Sequence, residues 1–256
     1  MSKPLVSIIT PAYKTAGFIG KTIESVQAQT FTDWELLITD DCSPDNLKEA
    51  VAKYVDSDPR VRYFRLSTNS GPAVARNNSI QAAQGNYLAF LDSDDLWHPT
   101  KLQRQLSFMN TEGCAFSFTG YQRITEEGVL YRRVNSVPKS VSYQDILTNT
   151  SIATLTVMID RSKVPPVVLR PGWGYDDYVL WLEILKTGTV AKGLNENLAN
   201  YRVMSSSVSS NKVRALKWVW LIYQKKEKLG FFRSCYCICL FAFNASARRL
   251  RARLLD

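Results

Sequence analysis

The sequence predicts an α/β fold, a mixed sheet flanked by helices, and three observations carry that prediction. Strand-like and helix-like segments alternate four times in the first hundred residues, the pattern of a parallel sheet covered on both faces. Two of those strands run into acids, Asp40-Asp41 and Asp92-Ser93-Asp94-Asp95, at the end where such sheets bind ligands. The chain is 256 residues long and 45% hydrophobic, enough to bury a sizeable core.

In order, Val6 to Thr10 is a β-branched run stopped by Pro11, and Ile19, Ile23 and Val26 then recur at helical spacing. Trp34 to Thr39 reads as a second strand. Ser43-Pro44 reads as an N-cap with proline at the first helical position, opening a helix through Leu47, Val51 and Tyr54. Val61 to Leu66 is a third strand, Asn69-Ser70-Gly71-Pro72 opens a helix that ends at Gly85, and Tyr87 to Leu91 is a fourth strand. Beyond residue 100 the pattern predicts a helix from Thr100 to Asn110 and short strands at 115–119, 129–134 and 155–159. A helix at Tyr178 to Leu185 and a last strand at Leu198 to Val203 follow, with a mixed or antiparallel edge to the sheet.

The net charge of +9 is unevenly placed: residues 1–211 hold 21 Lys+Arg and 21 Asp+Glu, whereas residues 212–256 hold 11 and 2. A neutral body with a basic tail does not ask for nucleic acid; it suggests a domain held near an anionic surface by its end. Met1-Ser2-Lys3-Pro4 leads into a short Val/Ile run without the apolar core or cleavage site of a secretory signal, so the expected location is cytoplasmic. The cysteines, Cys42, Cys114, Cys235, Cys237 and Cys239, lack CxxC spacing and read as reduced thiols filling apolar space.

The chemistry concentrates in Phe90-Leu91-Asp92-Ser93-Asp94-Asp95, where three carboxylates crowd a strand end. Mg²⁺ or Mn²⁺ takes hard oxygen ligands, usually one or two carboxylates completed by water and phosphate oxygens, and Asp92-x-Asp94 suits that need. A phosphohydrolase of the haloacid-dehalogenase type would place Thr or Val where Leu96 stands. There is no GxxxxGK[ST] loop, and a single histidine, His98, leaves a Ser-His-Asp triad doubtful.

In order and spacing, VSIITPAYK, WELLITDDCSPD and GPAVARNNSIQAAQGNYLAFLDSDDLWHPTKL resemble the nucleotide-binding half of family 2 glycosyltransferases, the inverting sugar-nucleotide enzymes with the GT-A fold. The resemblance implies that Pro11 and Tyr13 line the base and ribose, that Asp41 accepts a hydrogen bond from a uracil N–H, and that Arg76 faces the nucleotide. It implies Asp92 as the ribose-side acid and Asp94 as the ligand of a Mn²⁺ or Mg²⁺ ion bridging to the diphosphate. Asp95 and Trp97 would support the loop or meet the acceptor. Asp177 matches the catalytic base, with Asp176, in place of the family's Glu, near the acceptor. Tyr201-Arg202-Val203-Met204 carries methionine where relatives often have histidine, and a Q-x-x-R-W motif is absent, which favours addition of one sugar over processive synthesis.

The organisation implied is a GT-A domain over residues 1–211, with a nucleotide half (1–110) and an acceptor half (111–211), followed by a basic amphipathic helical tail over 212–256. Trp218 to Tyr223 and Cys235 to Phe243 are apolar blocks flanked by Lys and Arg, too short to span a bilayer and suited to an interface. The expected partners are a UDP-sugar, a glycan or lipid-linked acceptor of bacterial surface polysaccharide synthesis, and the anionic inner face of the cell membrane. Pairing of two copies through the tail is the other use of those helices. A nucleotide-sugar binding module without catalysis, or a nucleotidyltransferase on a related sheet, are the competing functions.

Overall fold

The computed structural model describes residues 3–149, 151–204 and 212–253. The first half alternates as the sequence predicts: β1 (Val6–Ala12), α1 (Ile19–Gln27), β2 (Trp34–Asp40), α2 (Leu47–Ser57), β3 (Val61–Arg65), α3 (Pro72–Ala82) and β4 (Tyr87–Phe90). All seven residues of β1 and of β2 are buried, because helices cover both faces of the sheet there. β5 (Leu96–Trp97) and α4 (Lys101–Glu112) lead to β6 (Phe116–Ile124), β7 (Leu130–Asn135), β8 (Ser140–Val141) and α5 (Tyr143–Ile146). A 3₁₀ turn (Thr154–Thr156), β9 (Met158–Asp160), α6 (Asp176–Leu185), β10 (Ala191–Arg202), α7 (Lys212–Leu221), a π turn (Ile222–Lys226) and α8 (Phe231–Arg253) complete the described chain.

One mixed sheet runs β3-β2-β1-β4-β9-β6-β10-β5, with β7 beside β6 and β8 beside β10. β3, β2, β1 and β4 are parallel, so the ends of β1, β2 and β4 open on one edge. The antiparallel strands are not confined to an edge: β9 lies between β4 and β6, antiparallel to both, and β10 then pairs parallel with β6. This inserted strand stitches the two halves into one sheet.

Three local expectations are corrected. Ser43 does not cap α2, which starts at Leu47; its N–H donates to Asp40 Oδ1 at 2.7 Å and its hydroxyl accepts from the Lys14 N–H at 2.6 Å. The loop between β2 and α2 has the stronger claim on that hydroxyl. α3 ends at Ala82 rather than Gly85; a Cβ on Gly85 would lie 2.6 Å from the Ser7 nitrogen, so this glycine serves a close backbone approach. β10 starts at Ala191, seven residues before its apolar end, with register shifts around Asn197 that blur its alternation. Of the thiols expected to fill apolar space, Cys114 and Cys237 are buried and Cys239 is exposed.

The tail packs on the body through one side. Val219, Ile222, Tyr223, Leu229, Cys237 and Phe241 join the apolar cluster built around Val179, Trp181 and Leu182 of α6. The other side of α8 is exposed, with Phe232, Tyr236, Cys239 and Phe243 at i, i+4, i+7 and i+11, one stripe of a helix. Among the described residues no helix is long and apolar enough to cross a membrane.

Candidate active site

The acid loop leaves β4 at Phe90 and is fastened from below. The Thr22 hydroxyl of α1 lies 3.0 Å from the Ser93 carbonyl and 2.9 Å from that of Asp95. Asp95 is 1% exposed, and one of its oxygens accepts the Arg202 N–H at 2.7 Å. The Arg202 guanidinium, itself buried, donates through Nε to the Asp94 carbonyl at 2.7 Å and through Nη1 to the Glu126 carbonyl at 2.7 Å. Arg76 Nη2 of α3 meets Asp92 Oδ1 at 2.5 Å. Two buried arginines thus flank three clustered carboxylates.

They do not neutralise the cluster. Burial, then the charge of Asp92, pushes the Asp94 carboxyl up to about 6. Asp95 is raised well above the usual carboxylate range, first by burial and then by Asp94 and Asp92, and its Oδ2 is buried with no hydrogen-bond partner. For Arg76, burial works against the charge, but Asp92 and then Asp177 outweigh it and hold its pKa above the ordinary value. Surplus negative charge and hard oxygens fit a divalent cation. Among the described residues no three His, Cys, Asp or Glu side chains form a ready cage, so an ion here would draw its other ligands from phosphate and water.

The opposite wall is delivered by α6. Gly172 and Gly174 adopt positive φ (+102° and +77°) and turn the chain so that Asp176 and Asp177 open the helix. Asp176 Oδ1 accepts the Trp173 N–H at 2.9 Å, and burial raises its carboxyl. Asp177 accepts the Thr154 hydroxyl on one oxygen and the Tyr178 N–H, at 2.7 Å, on the other. Asp177 and Asp92 line one cavity of about 480 Å³, together with Tyr121, Arg123, Thr154 and Tyr201 and with residues of α7 and α8.

The sequence profile of glycosyl transferase family 2 matches residues 7–164. The chain belongs to this family. It is 44% identical over 248 residues to the putative teichuronic acid biosynthesis glycosyltransferase TuaG of Bacillus subtilis, covering 97% of this chain and 98% of that protein. It is 38% identical over 221 residues to the UDP-Glc:alpha-D-GlcNAc-diphosphoundecaprenol beta-1,3-glucosyltransferase WfgD of Escherichia coli, covering 86% and 85%. In fold it resembles S. aureus TarS in complex with UDP-GlcNAc (TM-score 0.68, 18% identity, 94% of this chain and 71% of that one). The mannosyltransferase PcManGT from Pyrobaculum calidifontis, in complex with GDP-Man and Mn2+, is also similar (TM-score 0.67, 15% identity, 100% and 79%). The fold is GT-A, and the protein is a glycosyltransferase.

In this family 2 glycosyltransferase the expected site residues fall into two groups. Arg76, Asp92, Asp94, Asp176 and Asp177 converge around the cavity and the acid loop. Pro11, Tyr13 and Asp41 lie at the ends of β1 and β2, where Pro11 is buried and Tyr13 is 42% exposed. Asp41 is 3% exposed, and its oxygens accept the Ser70 and Gly71 N–H groups at 2.7 and 2.8 Å, so it also shapes the loop before α3. Trp97 is buried beneath the site; its indole donates to the Leu155 carbonyl at 2.9 Å and supports the 3₁₀ turn that carries Thr154.

Three contributors escaped the sequence reading. Arg202 was visible in Tyr201-Arg202, but nothing in its neighbourhood placed it under an acid loop more than a hundred residues away. Thr154 had no motif to mark it. α7 belongs to the expected tail, yet Trp218 packs edge-on to Tyr175 at 5.4 Å, and a Cβ on Gly174 would lie 2.2 Å from its ring. The tail therefore grips the loop that presents Asp177.

Proposed function

We propose that this glycosyltransferase moves a single sugar, with inversion, from a UDP-sugar to a lipid-linked glycan acceptor in the assembly of a bacterial surface polysaccharide. The observation that carries this reading is the shared cavity, which sets Asp177 across from Asp92 with Arg76 biased by both acid groups. The names of TuaG and WfgD supply the polysaccharide, the UDP-sugar and the diphosphate-linked acceptor as those proteins' chemistry.

In this reading Asp177 takes the proton from an acceptor hydroxyl as its oxygen bonds to the anomeric carbon. The bond from that carbon to the diphosphate breaks on the opposite face, so configuration inverts and nucleoside diphosphate leaves. Thr154 and the Tyr178 N–H hold the carboxylate in place. Asp94, with phosphate oxygens, would hold a Mn²⁺ or Mg²⁺ ion, which when bound offsets the charge of the leaving diphosphate. Arg76 has a buried Nε with no partner, a further donor on the nucleotide side. Tyr13 and Asp41 recognise the base.

The outward stripe of α8, with Phe232 88% exposed, together with exposed Phe231 and Arg233 beside it and Lys228 just before the helix, gives the tail the surface of an interfacial helix. The protein then works at the inner face of the cell membrane, where a lipid-linked acceptor resides. The deciding experiment supplies UDP-glucose, UDP-galactose and UDP-GlcNAc with GlcNAc-diphosphate lipid, with and without manganese, and follows UDP release and the mass of the product. Release of pyrophosphate would overturn the reading, as would donor binding without transfer to lipid-linked or soluble glycans.

A further inference from the structure

The catalytic cavity has a second, apolar wall that the sugar chemistry does not need. Leu216 and Val219 of α7 and Phe241 of α8 contribute to it, in the same cavity that Asp177 lines. On the outer side of the same two helices lies another hollow of about 450 Å³, whose lining of Val213, Trp220, Leu221 and Ile238 is broken only by Lys217. Leu216 lines both, so the outer hollow and the catalytic cavity share a wall at its side chain. Trp220 in turn meets Phe231 edge-on at 5.9 Å, which joins the hollow to the exposed aromatic face of α8. The inner end has a charge to match: Arg123 lines the catalytic cavity, is exposed, and has no partner among the described residues.

We infer that the cleft between α7 and α8 receives the apolar chain of the acceptor, which passes Leu216 while its diphosphate meets Arg123. The inference rests on the lipid-linked acceptor proposed above and adds where the lipid sits. An apolar path that meets a guanidinium in the same cavity as Asp177 matches an amphiphile whose anionic group joins a long hydrocarbon to a sugar. A soluble glycan would leave the path unfilled. The tail then does two things on two faces: its outer aromatics meet the bilayer, and its inner cleft draws one lipid toward Asp177.

The test compares undecyl diphosphate with methyl diphosphate, bound by the full chain in the presence of UDP and Mn²⁺ and followed by calorimetry below the micellar concentration. The undecyl compound is expected to bind at least tenfold tighter. Leu216→Trp should erase that advantage, Arg123→Ala should weaken both compounds alike, and the exposed-face variant Phe232→Ser/Tyr236→Ser should leave the advantage intact. A diazirine at the chain end should label peptides of α7 and α8 in the unmodified protein, a readout that does not depend on any variant folding. Equal binding of the two compounds, a folded Leu216→Trp protein that keeps the advantage, or labelling elsewhere would overturn the cleft. If turnover shows a soluble glycan to be the acceptor while the undecyl chain still labels α7 and α8, the lipid-linked reading fails and the cleft stands as an amphiphile site.

Discussion

The hydroxyl of Thr154 donates to the carboxylate of Asp177, joining the 3₁₀ turn before β9 to the first turn of α6. The turn is itself pinned by the Trp97 indole on the Leu155 carbonyl and by Gln105 Nε2 on the Thr156 carbonyl, at 2.9 Å each. The Asp177 carboxylate is thus held from the core beneath it.

Asp177→Asn removes the proton acceptor and keeps the shape, so transfer should fall by about a hundredfold or more while donor affinity holds. Thr154→Val removes one hydrogen bond to a charged group, and kcat should fall roughly ten- to a hundredfold with donor KM unchanged. Thr154→Ser restores the hydroxyl and should restore most of the rate. Full activity in Asp177→Asn would refute the assignment of the base.

Asp94→Asn should abolish the manganese-dependent part of UDP binding and stabilise the metal-free fold. The folded carboxyl sits at about 6, above its ordinary 3.8, so the folded state holds the proton more tightly than the unfolded chain. Wild-type stability therefore falls as pH rises from about 4 to about 6 and stays lowered above that. The gain from asparagine should be present at pH 8, on the order of 1 to 2 kcal/mol, and vanish near pH 4. Calorimetry and urea unfolding in chelator read the two effects; unchanged metal-dependent affinity would remove Asp94 from the ligand set.

Lys101 is fully buried, with Nζ 2.8 Å from Gln105 Oε1 and 3.9 Å from the centre of the Trp97 ring. Burial drops its pKa from 10.5 to about 7. A lysine with a lowered folded pKa costs stability while it is charged, and the cost is relieved as pH rises from about 7 toward 10. Lys101→Met should thus be more stable than the wild type near pH 6.5, by about 1 kcal/mol after loss of the Trp97 and Gln105 contacts, and the difference should shrink or reverse by pH 9.5. A difference that is the same at both values would rule out titration of Lys101.

Phe232→Ser/Tyr236→Ser/Phe243→Ser alters only exposed side chains, so melting should be nearly unchanged while flotation with anionic vesicles weakens. High salt should loosen the wild type only in part, because it screens the lysines and arginines and leaves the apolar contact. A triple variant that floats like the wild type would remove the aromatic face from membrane binding, and a change in mass by light scattering would assign it to pairing of copies instead. Deleting residues 212–256 should unfold the part of the chain built around α6, since it uncovers the α6 cluster that Val219, Tyr223 and Phe241 complete.

The sequence by itself determined the first half of the fold. β-branched runs, helical spacing and Gly-Pro punctuation are local signals, and the first seven elements follow them: β1 and β2 are buried along their whole length and β4 nearly so, while the edge strand β3 is only partly covered. It also marked the acids, since a carboxylate cluster at a strand end is unusual wherever it occurs. The tertiary structure alone decided what surrounds them. Arg202 reaches Asp95, Thr154 reaches Asp177, and Trp218 reaches Gly174 across long stretches of chain, and no local pattern encodes contacts made only when distant strands share one sheet. The second half was least legible for the same reason: β9 is three residues long and inserted antiparallel between β4 and β6, and β10 is bulged, so both owe their strand conformation to the partners that flank them rather than to their own alternation.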